Sequence, residues 1–219
     1  MRRSSWIMAL VLGCMCNAGV AQAAGEAAMV AAKTTTPATA PTTLDNLRAA
    51  VLDSTNAVLR YQAFAAKADA EGYKGVSVLF RAAAASEAIH LGKALQAITK
   101  AGGSVSRLAL AAPVVNATRA NLESALSVEI AAKTEAYARY AGQAAKEKNM
   151  AAVYTFKGAL AAAQEHAKFI KQALAGLDAW KADGRIFAVC EVCGFTVMGQ
   201  PPASCPVCQA PADKFAVIR

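Results

Sequence analysis

Residues 80–90, FRAAAASEAIH, and residues 156–166, FKGALAAAQEH, carry one pattern twice. Each opens on a phenylalanine, continues through small helix-forming residues and closes on one of the chain's two histidines. Phe80 and Phe156, and His90 and His166, are 76 positions apart. Upstream, Asn46-Leu47-Arg48-Ala49-Ala50 matches Asn121-Leu122-Glu123-Ser124-Ala125 at an offset of 75, so the second copy has gained one residue in between. A period this long, used twice, describes a duplicated helical hairpin and not a solenoid, which needs more units.

Apolar spacing extends each copy into two helices. The first is predicted from a cap at Thr43 or Asp45, through Leu47, Val51, Ala57, Leu59, Tyr61 and Phe64, to about residue 70, where Glu71-Gly72 breaks it. A second covers roughly 74–101 and ends at Gly102-Gly103, and the third and fourth run near 117–147 and 150–182. The segment 103–116, with Pro113, is the crossover between the halves. The expected fold is all-α, a four-helix bundle over residues 44–182, with helices about 42 Å long at about 1.5 Å per residue. Composition agrees: the chain is 56% hydrophobic but only 6% aromatic, and the excess is alanine, which favours close-packed helices over a β-sandwich.

The ends of the chain read differently. Arg2 and Arg3 precede an apolar run from Trp6 to Met15, and Val20-Ala21-Gln22-Ala23 follows as a cleavage-type signal. Residues 1–23 are expected to be a signal peptide, which places the mature protein in the periplasm or outside the cell. An uncleaved anchor, or a lipoprotein cut before Cys14, is the alternative. Residues 24–43 are rich in Ala, Thr and Pro without periodicity and are expected to be a flexible linker. The formal charge of +8 falls to +6 once Arg2 and Arg3 are removed, and the remaining charges form no run. Nucleic acid is therefore not an expected partner, nor is stable membrane insertion of the mature chain.

Within the bundle, Glu87-Ala88-Ile89-His90 puts a carboxylate and an imidazole on one helix face. Glu-x-x-His pairs of this kind ligate metals in ferritin-like bundles, and carboxylate with imidazole suits iron or manganese. The second copy lacks the matching carboxylate, having Ala163 three residues before His166. In the first helix Ser54, with Asp53 beside it, stands at the position equivalent to Glu129. The candidate bundle site is thus Glu87, His90, Glu129 and His166, which could hold one metal ion, or none if these side chains satisfy one another. Tyr61 and Tyr137 lie near the same level, either as hydrogen-bond partners of ligands or as core aromatics.

Four further cysteines, Cys190, Cys193, Cys205 and Cys208, form two C-x-x-C knuckles eleven residues apart. Two such knuckles bring four thiolates around one ion, iron or zinc, because a four-sulfur site accepts both. Gly194 permits the turn after the first knuckle and Pro206 shapes the second. Two disulfides are the alternative in an oxidising compartment. The segment 187–219 is too short to hold a core of its own, so the metal is expected to fold it.

From about residue 44 to the end the chain resembles the rubrerythrin family: a ferritin-like bundle followed by a rubredoxin-like domain. The residues that carry the resemblance are Asn46-Leu47 with Arg60-Tyr61, Glu71-Gly72-Tyr73, Phe80, Glu87-x-x-His90, Asn121-Leu122, Glu129, Thr134-Glu135-x-Tyr137, His166, Cys190-x-x-Cys193-Gly, and Pro201-Pro202 ahead of Cys205-Pro-Val-Cys208. The resemblance implies a non-haem di-iron peroxidase in which electrons enter through a rubredoxin-type iron, often across a homodimer. The chain departs from that pattern at Ser54, Ala132 and Ala163, where the family has carboxylates. An enzyme that reduces peroxide at an altered bundle site, a non-catalytic electron carrier, and a zinc-stapled scaffold or binding protein with a metal-free bundle are the functions that remain. No catalytic residue or redox partner is identifiable at this level.

Overall fold

The computed structural model describes residues 40–181 and 184–219, and for residues 128, 129, 131 and 132 the backbone alone. The expected signal peptide, Cys14 within it, and the linker up to residue 39 lie outside the described residues.

Helices α1 (Thr43–Ala70) and α2 (Lys74–Lys100) form the first hairpin. The second is made of α3 (Thr118–Ser124), a π-helical segment (Ala125–Ile130) and α4 (Ala131–Lys146), which run on as one rod, followed by α5 (Met150–Ala175). Thr42, and not Thr43 or Asp45, caps α1: its hydroxyl accepts from the Asp45 amide at 3.2 Å while the Asp45 carboxylate accepts from the Thr42 amide at 3.1 Å, a reciprocal pair that satisfies two otherwise orphaned donors. The fourth helix is shorter than its apolar pattern suggested. It stops before Gly176, and Leu177–Trp180 turn as a 3-10 helix that buries Leu177 and Trp180. Glycine adds helix cost there, and the two apolar side chains continue the hydrophobic spacing without continuing the helix.

The duplication is visible in the packing. Tyr61 stacks on Phe80 with ring centroids 5.8 Å apart and planes at 20°, and Tyr137 stacks on Phe156 at 6.3 Å and 22°. The one-residue insertion falls between Ala125 and Tyr137, the stretch in which the rod becomes π-helical. A π turn is how a helix absorbs one extra residue without breaking. The helix ends repeat as well. The Glu71 carboxylate, at the end of α1, accepts from the Thr118 amide at the start of α3 at 2.8 Å. The Glu147 carboxylate, at the end of α4, accepts from the Thr43 amide at the start of α1 at 3.1 Å. Each hairpin therefore supplies an anion to the positive end of the other's first helix.

Two apolar clusters fill the bundle, one around Phe64, Phe80 and Ile170 and the other around Leu47, Ile98 and Phe156. At their junction α1, α2 and the third rod turn polar side chains inward: Ser54, Glu87, His90 and Lys133 are all buried. Among the described residues no helix is long and apolar enough to cross a membrane.

The C-terminal segment is a small antiparallel sheet, β1 (Phe187–Cys190), β2 (Thr196–Met198) and β3 (Phe215–Ile218), in the order β2-β1-β3. It packs on the bundle of its own chain. Phe187 is fully buried and meets Phe169 of α5 edge-on, with ring centroids 5.3 Å apart. The Arg81 guanidinium of α2 donates to the carbonyl of Arg219 at 3.0 Å.

Candidate metal centre and the polar layer beneath it

Cys190 ends β1 and Cys193 follows one turn later; Cys205 and Cys208 repeat this spacing in the loop before β3. The two knuckles fold alike. The Gly194 amide donates to the Cys190 carbonyl at 2.8 Å and the Gln209 amide to the Cys205 carbonyl at 2.9 Å. Each donor sits in the left-handed region, at φ +79° for Gly194 and +63° for Gln209. Pro206 opens the turn of the second knuckle and Gln209 closes it. The four sulfurs lie within 4.8 Å of one another.

All four cysteines are free thiols, with Sγ to Sγ distances of 3.6 Å for Cys190–Cys208 and for Cys193–Cys205. A disulfide would need about 2.05 Å. A tetrahedron of sulfurs about 2.3 Å from a central metal has an edge of about 3.8 Å, so the quartet has the size of a four-thiolate cage. Burial pushes the Cys190 thiol up to about 11 and Cys193 higher still. At Cys208 burial is outweighed by the Ala210 amide together with hydrogen bonds from the three neighbouring cysteines, and its thiol is lowered. A buried set of thiols that resists ionisation gains most from a cation, which takes the place of the protons.

The first knuckle rests on the polar layer of the bundle. Ser86 Oγ donates to the Gly194 carbonyl at 2.6 Å, and His90 Nε2 donates to the Cys193 carbonyl at 3.2 Å. Thr196 Oγ1 donates to the Gly194 carbonyl at 3.3 Å and so accepts from His166 Nε2, 2.9 Å away. Both histidines thus hold the tail through Nε2. The approach leaves no room for side chains: a Cβ on Gly194 would lie 2.3 Å from His90 Nε2, and one on Gly158 of α5 would lie 3.0 Å from the Cys193 carbonyl. Burial holds His166 neutral, its pKa lowered to about 3.

Behind His90 lies a charged cluster that the sequence reading did not contain. Lys133 Nζ, on α4, donates to Glu87 Oε1 at 3.0 Å and is 3.6 Å from Asp53 Oδ2. The Lys133 and Glu87 side chains are only 5% and 3% exposed. Ser54 Oγ donates to Glu87 Oε2 at 2.9 Å, and the Tyr137 hydroxyl donates to Asp53 Oδ2 at 2.9 Å. Burial opposes ionisation of Glu87, but the Lys133 ammonium and His90 overcome it and hold the carboxyl well below its ordinary range. Burial likewise opposes the ammonium of Lys133, and the Glu87 and Asp53 carboxylates hold it charged, well above the usual lysine value. Burial, reinforced by Glu87, pushes the Tyr137 phenol well up.

The structure accordingly treats the two sequence-predicted sites differently. It brings Cys190, Cys193, Cys205 and Cys208 together. It places Glu87 against Lys133 and Ser54, and turns Nε2 of His90 and of His166 toward the tail; His90 Nδ1, 3.6 Å from Glu87 Oε2, has no hydrogen-bond partner. The Glu129 side chain lies outside the described residues. Among the described residues, the four cysteines form the one group of three or more ligand atoms close enough to share an ion. A signal for Lys133 was available: it precedes Tyr137 by four residues, as the buried Ala57 precedes Tyr61, which puts it on the inward face.

The family profile described as rubrerythrin matches residues 45–174, and the one described as the rubredoxin-like domain of rubrerythrin matches residues 189–216. The chain belongs to the rubrerythrin family. Among its rubrerythrin relatives, nigerythrin of Nitratidesulfovibrio vulgaris is 34% identical over 173 residues, covering 79% of this chain and 85% of the relative. Rubrerythrin-2 of Clostridium acetobutylicum is 30% identical over 180 residues, covering 79% and 95%. A solved structure described as the fully reduced, all-ferrous state of nigerythrin superposes with a TM-score of 0.74 at 32% identity, covering 86% of this rubrerythrin-family chain and 91% of that one. An open-pore ferritin from Archaeoglobus fulgidus, at 20% identity and a TM-score of 0.55, covers 64% and 88% and shares the bundle fold. The chain is thus a rubrerythrin-like redox protein with a rubredoxin-like four-cysteine site.

Proposed function

We propose that this protein is an exported electron carrier whose working group is a single iron held by Cys190, Cys193, Cys205 and Cys208. The observation that carries the reading is the convergence of four free thiols at the spacing of a four-thiolate cage. Iron in that cage would supply a one-electron couple. The chain's own residues set its surroundings: buried Cys190 and Cys205 anchor it to the sheet, Cys193 and Cys208 lie toward solvent, and the knuckle amides stiffen the cage. The signal-like residues 1–23 support export. The family resemblance and the all-ferrous state described for nigerythrin support iron over zinc.

Peroxide reduction at a reduced bundle metal site is the second reading. Glu87 and His90 favour it, because they retain the family spacing and His90 Nδ1 is a buried nitrogen facing the carboxylate.

Metal analysis of the purified mature protein, with a visible spectrum and a redox titration, tests both. One iron per chain, a thiolate-to-iron absorption that bleaches on reduction, and no peroxide turnover are expected. Two further irons per chain with peroxide consumption would replace the carrier by the enzyme. Colourless protein with one zinc, or two disulfides and no metal, would remove the electron-transfer reading.

A further inference from the structure

We infer that the Lys133 ammonium is a built-in replacement for the bundle's metal cation, so that the buried Glu87 carboxylate is neutralised with no metal bound. This goes beyond the carrier reading and does not depend on which ion fills the tail.

Three observations converge. Charge comes first. The family's bundle site surrounds cations with carboxylates, and here Ser54, Ala132 and Ala163 stand at three of those positions while one lysine has entered the interior. A carboxylate removed and an ammonium added both reduce the field that would hold a divalent ion. Geometry is second. Lys133 Nζ lies 3.0 Å from Glu87 Oε1, and Ser54 Oγ lies 2.9 Å from Oε2, so both oxygens of the carboxylate already accept from the protein. A metal bound there would sit against the ammonium at a few ångströms in a site of low polarisability, where repulsion is poorly screened. The histidines are third. With Nε2 of His90 and of His166 spent on the Cys193–Thr196 segment of the tail, each ring has only Nδ1 left to offer a metal. His90 Nδ1 faces Glu87 Oε2 at 3.6 Å. Among the described side chains, Glu87 and the two Nδ1 atoms beside a fixed cation are too few to hold a bridged pair of irons.

Lys133 occupies an inward register position, the counterpart of Ala57 in the first hairpin. Its place in the core is therefore set by helix phase, and its ammonium is satisfied by Glu87 with Asp53 close by. The cation remains and its source has changed, from solution to the chain.

The test uses the full chain with zinc in the four-cysteine site, titrated with cobalt(II). Cobalt that displaces tail zinc shows intense thiolate charge-transfer bands; cobalt in a carboxylate–imidazole site shows only weak d–d bands. The protein with Lys133 in place is expected to take up no cobalt with weak bands and to keep the same Tm with and without free cobalt. Lys133→Ala is expected to gain up to one such equivalent and a rise in Tm with added cobalt, while Lys133→Arg, which keeps a cation, gains neither. Weak-band cobalt bound in stoichiometric amount by the unaltered protein would overturn the inference. So would a Lys133→Ala protein whose folding does not respond to cobalt, since the lysine would then be filling space and not a cation's place. If Lys133→Ala does not fold, the unaltered and arginine proteins still decide the matter. Finding zinc or disulfides in the tail of the native protein would defeat the carrier reading and leave this result intact.

Discussion

Replacing Lys133 by methionine keeps the length of the side chain and removes its charge, leaving the Glu87 carboxylate buried with only Ser54 and His90 beside it. The pair is 3.0 Å apart, which at an effective dielectric constant of about 20 corresponds to roughly 5–6 kcal/mol of attraction. The measured loss is limited because Glu87 can take up a proton in place of its partner, so the expected destabilisation at pH 7 is about 3–5 kcal/mol. For a chain of this size that lowers Tm by roughly 10 °C. The pH dependence identifies the cause. With Lys133 present, Glu87 has a folded pKa below its ordinary 4.5, so its contribution is present above pH 4.5 and lost as pH falls toward the folded value. In Lys133→Met, burial, the largest influence on Glu87, is opposed only by His90 and the Ser54 hydroxyl, and it raises the folded pKa above the ordinary value. The raised group then favours folding at low pH, and that contribution is lost as pH climbs. The gap between the two proteins should therefore narrow steadily from pH 7 to pH 4, and the double variant Lys133→Met/Glu87→Gln should recover most of the loss at pH 7. Thermal and urea unfolding followed by helical CD measure both. A gap of under 1 kcal/mol at pH 7, or one that does not change with pH, would refute the argument.

Cys205→Ser should abolish metal retention by the tail and leave residues 187–219 open to proteases while helical CD stays nearly unchanged; metal analysis after gel filtration checks it. Gly194→Ala places a methyl carbon 2.3 Å from His90 Nε2 and strains a residue at φ +79°, so it should loosen the tail from the bundle. The expected sign is faster proteolysis near residues 176–186 and faster hydrogen exchange in β1, with the bundle's own protection retained. Because burial raises Cys190 to about 11 and Cys193 higher, uptake of a metal by the reduced apo-protein should release protons near neutral pH, and apparent affinity should fall as pH is lowered from 8 to 6. A titration with a pH indicator in weak buffer reports the protons directly. Stripping the metal with a strong chelator should cost the tail its fold before the bundle loses any helicity.

The four rods were legible because the repeat and the apolar spacing agreed, and the cage was legible because C-x-x-C knuckles say which atoms converge. The end of the fourth helix was not: Leu177 and Trp180 keep the hydrophobic period, and only Gly176 hints that the backbone has changed. The cap fell on Thr42 because its partner Asp45 is three residues on, a pairing that Thr43 lacks. Glu87 and His90 were recognised as inward-facing polar residues, but their partners depend on contacts distant in sequence. Ser86, Thr196 and Lys133 are ordinary residues until the fold brings them to the Gly194 carbonyl, His166 and Glu87. Lysine is seldom buried, and that prior concealed a position that the phase of Tyr137 had already marked.

The exchanged carboxylates at Glu71 and Glu147 bear on how the molecule came to be. Glu71 lies a whole helix away from Thr43, so the carboxylate at the end of each hairpin's first helix serves the start of the other hairpin's first helix and not its own. That is the reciprocity of two identical subunits about a twofold axis. A single ancestral hairpin, meeting a copy of itself, would already have made both bonds, and joining the copies into one polypeptide needed only a strap long enough to reach from one to the other.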